Sequence, residues 1–238
     1  MRDAECSPPA GGVSLKADAR ASAHLRVGLK ADAGHIAYSR TPGRVAILPG
    51  MEHRRGDELD AGLDEIRRSP ADDGVVELIV RRPAENEREV LEEGTLDLAE
   101  GLIGDMWRMR GSRSTPDGSA NPLAQLTLQN ARLAALVAGE RERWPLAGDQ
   151  LYVDLDLSVD NLPPGTRLAV GSAVIEITPH PHTGCAKFSA RFGSDAVRFV
   201  NSQTGRVHRL RGVNTRVVEG GVVRRGDTVR KVAVTAER

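Results

Sequence analysis

A cysteine in a turn that contains proline and glycine is the residue of this chain whose setting most favours chemistry. Cys185 lies in the run Pro-His-Pro-His-Thr-Gly-Cys-Ala-Lys-Phe at residues 179–188, between a strand-like and a helix-like stretch. We predict that Thr183 caps the helix and that Cys185 falls in its first turn, where backbone N–H groups and the helix dipole favour a thiolate. A thiolate is a nucleophile and a soft-metal ligand, so this position predicts sulfur or metal chemistry.

Side chains close to Cys185 in the sequence support this prediction. Lys187 and Arg191 add positive charge to the predicted helix, and His182 is placed to exchange a proton with the thiol, as a base does in nucleophilic catalysis. The alternative for His182 is a turn histidine bonded to backbone, and the alternative for Cys185 is a small buried apolar residue. The local residues leave both alternatives open.

Two other patterns resemble metal sites. His180, His182 and Cys185 form a zinc-type triad in sequence, although a proline lies between the histidines and no fourth ligand is indicated. The run of alternating acidic residues at 154–160 begins like a calcium loop, but it lacks the glycine and the glutamate that such a loop requires. We therefore interpret its acidic residues as turn and cap residues.

Composition excludes several classes of protein. The 238 residues are 39% hydrophobic, which supports one domain with a core, whereas only 3% are aromatic, which leaves little material for stacking on single-stranded nucleic acid. Two distant cysteines exclude a disulfide framework and the paired motifs of structural zinc sites. No apolar run predicts a membrane span and no secretion signal opens the chain, so we expect a soluble, cytoplasmic protein.

The charge is unevenly distributed although the formal net charge is zero. Residues 51–106 carry 17 acidic and 7 basic side chains, whereas residues 187–231 carry 11 basic and 3 acidic ones. The end of the chain that contains Cys185 is therefore expected to attract anions. Such a basic region beside a thiolate suits a ligand that carries phosphate.

The first fifty residues differ in pattern from the rest. They are rich in Ala, Gly, Arg and Pro, lack a sustained apolar period and repeat Leu-Lys-Ala-Asp-Ala at residues 15–19 and 29–33. We predict a disordered or non-native extension over residues 1–50. A single domain is predicted over residues 51–238, with Met51 as the hypothetical physiological start.

Few helices are predicted in this domain. Apolar residues recur at helical spacing over 59–66, and a further helix is predicted between a cap at Thr127 and a stop at Gly139. The stretch 108–122 is rich in Gly, Ser, Thr and Pro and predicts a long loop. We hypothesise that this loop covers the pocket of Cys185.

Strand patterns dominate the remainder. Glycine turns open apolar strands at Gly148, Gly165 and Gly226. Many short strands and few helices predict a mainly β fold, a closed or nearly closed barrel, with helices at 186–192 and 195–201 across one mouth. The predicted strands cover residues 75–80, 89–91, 150–156, 167–178, 207–211, 215–218, 222–223 and 228–234.

Several short motifs occur in a fixed order in the second half of the chain. They are Gly-Asp-Gln-Leu at 148–151, Asn-Leu-Pro-Pro-Gly at 161–165, Ile-Glu-Ile-Thr at 175–178, His-Thr-Gly-Cys-Ala-Lys-Phe at 182–188, Arg-Gly-Val-Asn at 211–214 and Gly-Asp at 226–227. In this order they resemble the MOSC domain, the module at the C-terminal end of molybdenum cofactor sulfurases that also occurs as free-standing bacterial proteins. The resemblance covers residues 125–234, and residues 51–110 would form the N-terminal part of the same barrel.

The resemblance implies a β-barrel with a reactive cysteine in a pocket at one end, and Cys185 is the matching position. In the family this cysteine carries sulfur as a persulfide from a pyridoxal-phosphate-dependent cysteine desulfurase, or ligates the molybdenum of a pterin cofactor. Cys185, His182 and Lys187 are then the catalytic residues, with Cys185 also the metal ligand. The implied cofactor-binding residues are Thr183, Arg191, Arg211 and Asn214.

Three functions stay open at this point. The first is a sulfur carrier or cofactor-binding module, and the second a molybdenum-dependent reductase of N-hydroxylated compounds. The reductase would need separate electron donors, because no iron–sulfur cysteine set or flavin signature is visible. The third is a non-catalytic anion-binding barrel. Whether the protein is an enzyme is therefore left open.

The expected partners follow from the same resemblance. The sequence shows no large pyridoxal-phosphate domain, so we expect a cysteine desulfurase to act in trans and to bind the pyridoxal phosphate itself. A molybdenum enzyme is the other expected protein partner. We expect neither a membrane nor a nucleic acid as a partner.

Overall fold

The computed structural model describes residues 25–28 and 53–233. Its strands are β1 (Leu25–Gly28), β2 (Gly74–Arg81), β3 (Glu87–Leu91), β4 (Glu93–Asp97), β5 (Gly101–Leu102), β6 (Leu126–Asn130), β7 (Leu151–Asp154), β8 (Arg167–Val170), β9 (Ala173–Ile177), β10 (Val213–Glu219), β11 (Gly221–Arg224) and β12 (Thr228–Val232). Its α-helices are α1 (Gly56–Ala61), α2 (Leu63–Arg67), α3 (Trp107–Arg110), α4 (Ala131–Ala138), α5 (Ala186–Asn201) and α6 (Gln203–Val207), and 3-10 helices cover Pro122–Ala124 and Arg141–Ala147. None of the helices in this part of the chain combines the length and apolar composition that a bilayer crossing requires.

Seven strands close into a barrel. Neighbouring strands follow the order β2, β12, β8, β9, β10, β6 and β7, and β7 pairs again with β2 to complete the circle. The β6–β7 pair is parallel, whereas the other six pairs of the circle are antiparallel. The prediction of a mainly β barrel with a few short helices is therefore confirmed.

Two sets of strands lie outside this circle. Strand β3 pairs with the last three residues of β2, Ile79–Arg81, and β1 pairs in turn with β3. Strands β11, β4 and β5 form a separate antiparallel sheet. The predictions of an extension over residues 1–50 and of a start at Met51 fall outside the described residues, apart from the four residues of β1.

Strand β2 shows how the sequence builds two cores. Val76 and Ile79 lie in the apolar cluster inside the barrel, whereas Leu78 and Val80 lie in a second cluster formed with the helices. The register against β7 shifts between Val76 and Leu78. A bulge adds one residue to the period of two, and it therefore allows Val76 and Ile79 to share a face.

Helix α5 carries the region around Cys185 and is broken in the middle. Gly193 adopts φ 90° and ψ 165°, and a Cβ atom there would come within 2.9 Å of the His53 side chain. Only glycine tolerates this combination of backbone conformation and close approach. The break separates the two helical segments that the sequence predicted. The apolar face of α5 is buried in the second cluster, the one formed with the helices, through Phe188, Phe192 and Phe199.

Two sequence predictions about local structure are wrong. Thr127 is not a helix cap, since it lies within β6; α4 is capped instead by Asn130, whose side chain accepts from the backbone N–H of Leu133 at 3.0 Å. The predicted long strand over 167–178 is a hairpin of β8 and β9, because Gly171 turns the chain with φ 60°.

A third prediction, a strand over 207–211, is also wrong. Val207 ends α6, and the chain then turns through Arg209 (φ 46°) and Gly212 (φ 91°) before β10 begins. Positive φ at two positions is incompatible with a continuous strand. This turn has a functional consequence, because it presents Arg211 to the end of the barrel where Cys185 lies.

Candidate functional site

A cavity of about 870 Å³ lies at one mouth of the barrel, and Cys185 is part of its wall. Lining residues follow the ends of β2 and β9 and precede the starts of β6, β7 and β10, which all meet at this mouth. The structure brings all of the site residues predicted from the sequence to this one cavity: Thr183, His182, Cys185, Lys187, Arg191, Arg211 and Asn214.

Cys185 is an exposed thiol that immediately precedes α5. Its backbone is extended, with φ −120° and ψ 178°, and its carbonyl accepts from the N–H of Ser189 at 3.0 Å as the first bond of the helix. The cap therefore lies two residues later than predicted: Cys185 occupies the cap position assigned to Thr183 and does not lie in the first turn. The alternative of a small buried apolar cysteine is also wrong, because the residue is exposed to solvent.

Two asparagine side chains hold the segment 179–184, which we call the strap. The amide of Asn201, at the end of α5, accepts from the N–H of Gly184 at 2.9 Å and donates to the carbonyl of Gly184 at 3.0 Å. The amide of Asn214 donates to the carbonyls of His180 and Pro181 at 3.1 and 3.2 Å. The strap is thus fixed at both ends, and with it the position from which Cys185 enters the cavity.

Two buried ion pairs form part of the cavity wall and its support. The guanidinium of Arg82 donates to both carboxylate oxygens of Asp105 at 2.8 Å. The guanidinium of Arg211 donates to both carboxylate oxygens of Asp149 at 2.9 and 2.8 Å. Both arginines also donate to backbone carbonyls of residues 147–148. Burial raises the pKa of the Asp149 carboxyl, and the charge of Arg211 opposes that shift.

Two further arginines crowd the same wall and use backbone carbonyls as partners. Arg88 donates to the carbonyl of Pro145 at 3.1 Å, and Arg191 donates to that of Leu146 at 2.6 Å. Burial, followed by repulsion from Arg191 and Arg82, lowers the pKa of Arg88 to about 10. Burial also lowers the pKa of Arg191, and the sulfur of Cys185 opposes that shift. These shifts show cations held close together in a poorly solvated wall.

The last residue of α3 and the loop that follows it bring two more arginines to the cavity. Arg110 and Arg113 line it and have no hydrogen-bonded or ionic side-chain partner within the described part of the chain. The loop from Gly111 to Asn121 is stabilised by its own polar groups, since the side-chain amide of Asn121 donates to the hydroxyl of Ser114 at 2.9 Å. Burial lowers the pKa of Arg110, with repulsion from Arg82 acting in the same direction. The predicted long loop is therefore a wall of the cavity.

Lys187 and His182 occupy contrasting environments. Lys187 is exposed and pairs with Glu85 at 2.8 Å. The side chain of His182 is only 16% exposed. Its Nδ1 atom lies 3.7 Å from Asp149, beyond hydrogen-bond distance, and has no hydrogen-bond partner among the described residues. Burial, and then repulsion from Arg211 and Arg82, lowers the pKa of His182 well below its usual value of 6.5. His182 is therefore a neutral imidazole at neutral pH.

The two metal-site patterns seen in the sequence do not assemble. Among residues 53–233, no group of three His, Cys, Asp or Glu side chains comes together in a way that could hold a metal ion, and this includes His180, His182 and Cys185. In the calcium-like run, Asp156 accepts from the backbone and hydroxyl of Ser158 at 2.9 and 3.0 Å. The acidic residues there are turn residues, as interpreted.

Sequence reasoning missed the cations that lie directly after β2, in β3, at the end of α3 and in the loop that follows α3. Arg82, Arg88, Arg110 and Arg113 come from a part of the chain in which acidic residues prevail or apolar anchors are few. A charge count over a segment averages both faces of its strands, so it hides the basic groups at one strand end. The signal that could have found Arg82 is its place directly after the apolar strand β2, beside a proline.

Comparison with known proteins gives one family match and several structural likenesses. Residues 126–230 match the family model of the MOSC domain. The YuaD protein from Bacillus subtilis is similar in structure with a TM-score of 0.52 and 16% identity, over 68% of this chain and 97% of that one. YiiM from Escherichia coli gives a TM-score of 0.45 and 19% identity, over 68% of this chain and 72% of that one. No curated protein matches the chain significantly.

Proposed function

We propose, since the chain contains a MOSC domain over residues 126–230, that Cys185 acts through its sulfur on an anionic ligand or partner group held in the basic cavity. The observation that carries this proposal is an exposed thiol in a wall where cations outnumber anions. Glu85 is the one acidic residue in the described lining. The basic residues of the lining are Arg82, Arg88, Arg110, Arg113, Lys187, Arg191 and Arg211.

The sulfur step that this setting supports is an exchange with a persulfide. The thiolate of Cys185 attacks the outer sulfur of a donor R–S–SH, a new S–S bond forms on Cys185, and the donor leaves as R–S⁻. The proton stays on the transferred sulfur, and no external oxidant is needed. Arg191 lies close enough for its pKa to respond to Cys185, so a cation is present beside the sulfur during the exchange.

The sulfur donor in this proposal is a protein that acts in trans. In the family, a pyridoxal-phosphate-dependent cysteine desulfurase supplies the persulfide, and that enzyme itself binds the pyridoxal phosphate. Cys185 is exposed and lies at an open mouth of the barrel, so a persulfide on a mobile loop of a partner has a route to it. A molybdenum enzyme would be the acceptor of the sulfur.

A molybdenum-pterin cofactor also fits the residues that are present. The thiolate of Cys185 is a soft ligand of the kind that molybdenum accepts, and Arg110 and Arg113 are cations without a partner in the described residues, as a phosphate requires. Among the described residues no three side chains form a metal cluster, and a metal that arrives inside an organic cofactor needs only a single protein ligand. Bound there, the cofactor would supply two-electron redox chemistry at the metal.

Persulfide loading is the direct test of the carrier function. The protein would be treated with a low-molecular-weight persulfide, freed of excess reagent and examined by intact mass spectrometry. We expect the added mass of one sulfur on the native chain, retained in Cys6→Ser and lost in Cys185→Ser. Cys6→Ser is the matched control because Cys6 is the only other cysteine of the chain. Equal loading of both variants, or loading of neither, would refute the carrier function.

Metal analysis separates the carrier from the reductase. Molybdenum bound in near-equal amount to the chain, and lost in Cys185→Ser, would favour cofactor ligation by this sulfur. Reduction of N-hydroxylated compounds with a supplied electron donor would then be expected of the loaded protein. A metal-free protein that carries a persulfide would favour the carrier, and a protein that takes up neither would leave only an anion-binding barrel.

A further inference from the structure

A second cavity, of about 440 Å³, lies on the other side of the strap from Cys185. The two cavities share the strap residues 180–183 together with Arg211 and Asn214, but Cys185 lines only the larger one. The rest of the smaller cavity is built by the end of α5, by α6, by the turn that leads into β10, and by Pro164, Thr178 and Pro179. The strap is therefore a partition with a separate chamber behind it.

The charges of the second cavity have one sign. Arg206, Arg209 and Arg211 line it, and none of its lining residues is an aspartate or glutamate. Arg209 is half-buried and donates to the carbonyl of Leu162 at 2.6 Å, whereas the exposed guanidinium of Arg206 has no partner within the described residues. Arg211 is paired with the buried Asp149, so Arg206 and Arg209 are the two lining cations that have no carboxylate partner among the described residues. Two such cations around a small volume favour an anion in that volume.

Two buried nitrogens in the walls that the two cavities share lack a partner within the described residues. Nε of Arg211 and Nδ1 of His182 are both inaccessible to solvent and make no hydrogen bond within the described residues. Both residues line the two cavities. A buried polar nitrogen without a partner costs free energy, and such groups are satisfied in most proteins. Nε of Arg211 is a donor, whereas Nδ1 of a neutral imidazole can donate or accept, so these two nitrogens favour a polar group beside this wall.

Apolar groups complete the second cavity. Val200 and Val213 line it together with the rings of Pro164, Pro179 and Pro181. Prolines and valines offer flat, rigid surface with no hydrogen-bond donor. The chamber therefore suits a ligand that has a compact apolar body and one anionic group.

We propose that this second cavity is a binding site for a small organic anion, a carboxylate or a phosphate monoester. Arg206 and Arg209 hold the anionic group, and the proline and valine surface holds the body. The site is separate from the sulfur chemistry, because Cys185 does not line it. The proposal therefore goes beyond the function proposed for Cys185.

Titration calorimetry with phenyl phosphate and with benzoate tests this site. Both probes carry an anionic group on a flat apolar body, and they differ in whether that group is a phosphate or a carboxylate. The Arg206→Gln/Arg209→Gln variant would be compared with an Arg110→Gln/Arg113→Gln variant of the larger cavity. We expect the first variant to weaken one binding event of at least one probe by about tenfold or more, and the second to leave that event unchanged.

The single variant Arg206→Gln keeps the test decisive if loss of the Arg209 bond to Leu162 prevents folding. Its side chain has no partner to lose, so its fold should be intact. No binding of either probe, or equal binding by the native chain and by Arg206→Gln, would overturn the proposal. Persulfide loading of Cys185 is measured separately and does not depend on these arginines, so either proposal can fail alone.

Discussion

The interior of the barrel and the wall of the cavity at its mouth both contain buried residues, yet they are stabilised differently. The interior is filled by apolar side chains such as Leu128, Leu168 and Ile175, which need only the right size and the right face. The wall of the cavity is made of arginines held by single carboxylates or by backbone carbonyls. The first region tolerates substitution in many combinations, whereas the second depends on particular partners.

This difference indicates what the cavity is for. A buried ion pair adds little net stability compared with well-packed apolar residues, because both charges lose their hydration. The pairs of Arg82 with Asp105 and of Arg211 with Asp149 are therefore a poor choice for stability alone. Their place around Cys185 is explained if the fold uses them to keep cations rigid beside a ligand.

The largest effect is expected where a buried cation loses its partner. Asp105 accepts four hydrogen bonds, three from Arg82 and one from the N–H of Trp107 at 2.9 Å. Asp105→Asn leaves Arg82 uncompensated, and we expect a loss of about 3–5 kcal/mol in the free energy of unfolding. Urea denaturation followed by circular dichroism would measure this loss.

A matched control for that substitution is Asp64→Asn. The side chain of Asp64 is 75% exposed and pairs with Arg67 on the surface of α2. We expect a change of no more than about 0.5 kcal/mol for this variant. Similar losses for both variants would remove the proposed contrast between the cavity wall and the rest of the molecule.

A substitution in the barrel interior should destabilise the protein by a similar amount to Asp105→Asn and yet leave the cavity unaffected. Leu168 is fully buried in β8, which contributes no residue to either cavity. For Leu168→Ala we expect a loss of about 2–5 kcal/mol. The rate at which iodoacetamide alkylates Cys185 in the folded protein should stay the same. A change of several fold in that rate would show that the two regions are coupled.

How far the sequence predicts each region follows the same division. The barrel could be predicted because glycine turns and alternating apolar residues repeat along the chain, as in β9, whose burial alternates from Ala173 to Ile177. Cys185 and Arg211 could be predicted because they lie in recognisable motifs. The cavity is assembled from strand ends that lie far apart in the sequence, so Arg82 and Arg88 could not be placed beside Cys185.

Local caps and turns account for the remaining errors. Thr127 and Thr183 were expected to cap helices because threonine is a good cap residue, but Asn130 and Cys185 occupy those positions. In both cases the strand or strap before the helix runs further than its sequence pattern indicates. Tertiary contacts decide this, such as the clamp of Asn201 on Gly184.

That clamp provides a smaller and more specific test. Asn201→Asp keeps the size of the side chain but replaces the N–H₂ group with a carboxylate oxygen that faces the carbonyl of Gly184. We expect a loss of about 1–3 kcal/mol in stability. Alkylation of Cys185 should change by several fold, because the strap is released at the end next to the thiol. If Asn201→Asp lost stability but its Cys185 were alkylated at the same rate as in Leu168→Ala, Asn201 would be a purely structural residue.

The smallest effect concerns pH and His182. Its pKa is lowered in the folded protein by burial and by Arg211, so between the folded pKa and about 6.5 the unfolded chain binds more protons than the folded one. Stability contributed by this group is therefore complete above about pH 6.5 and falls as the pH is lowered, by at most about 1.4 kcal/mol per pH unit. We expect His182→Gln to flatten the dependence of the unfolding midpoint between pH 7 and pH 5.5, whereas His208→Gln, at the surface near Arg67, should keep it. If both variants retained the full slope, the sensitivity to acid would arise from carboxylates outside the cavity, and the partition between the two cavities would not be the part of the molecule that responds to pH.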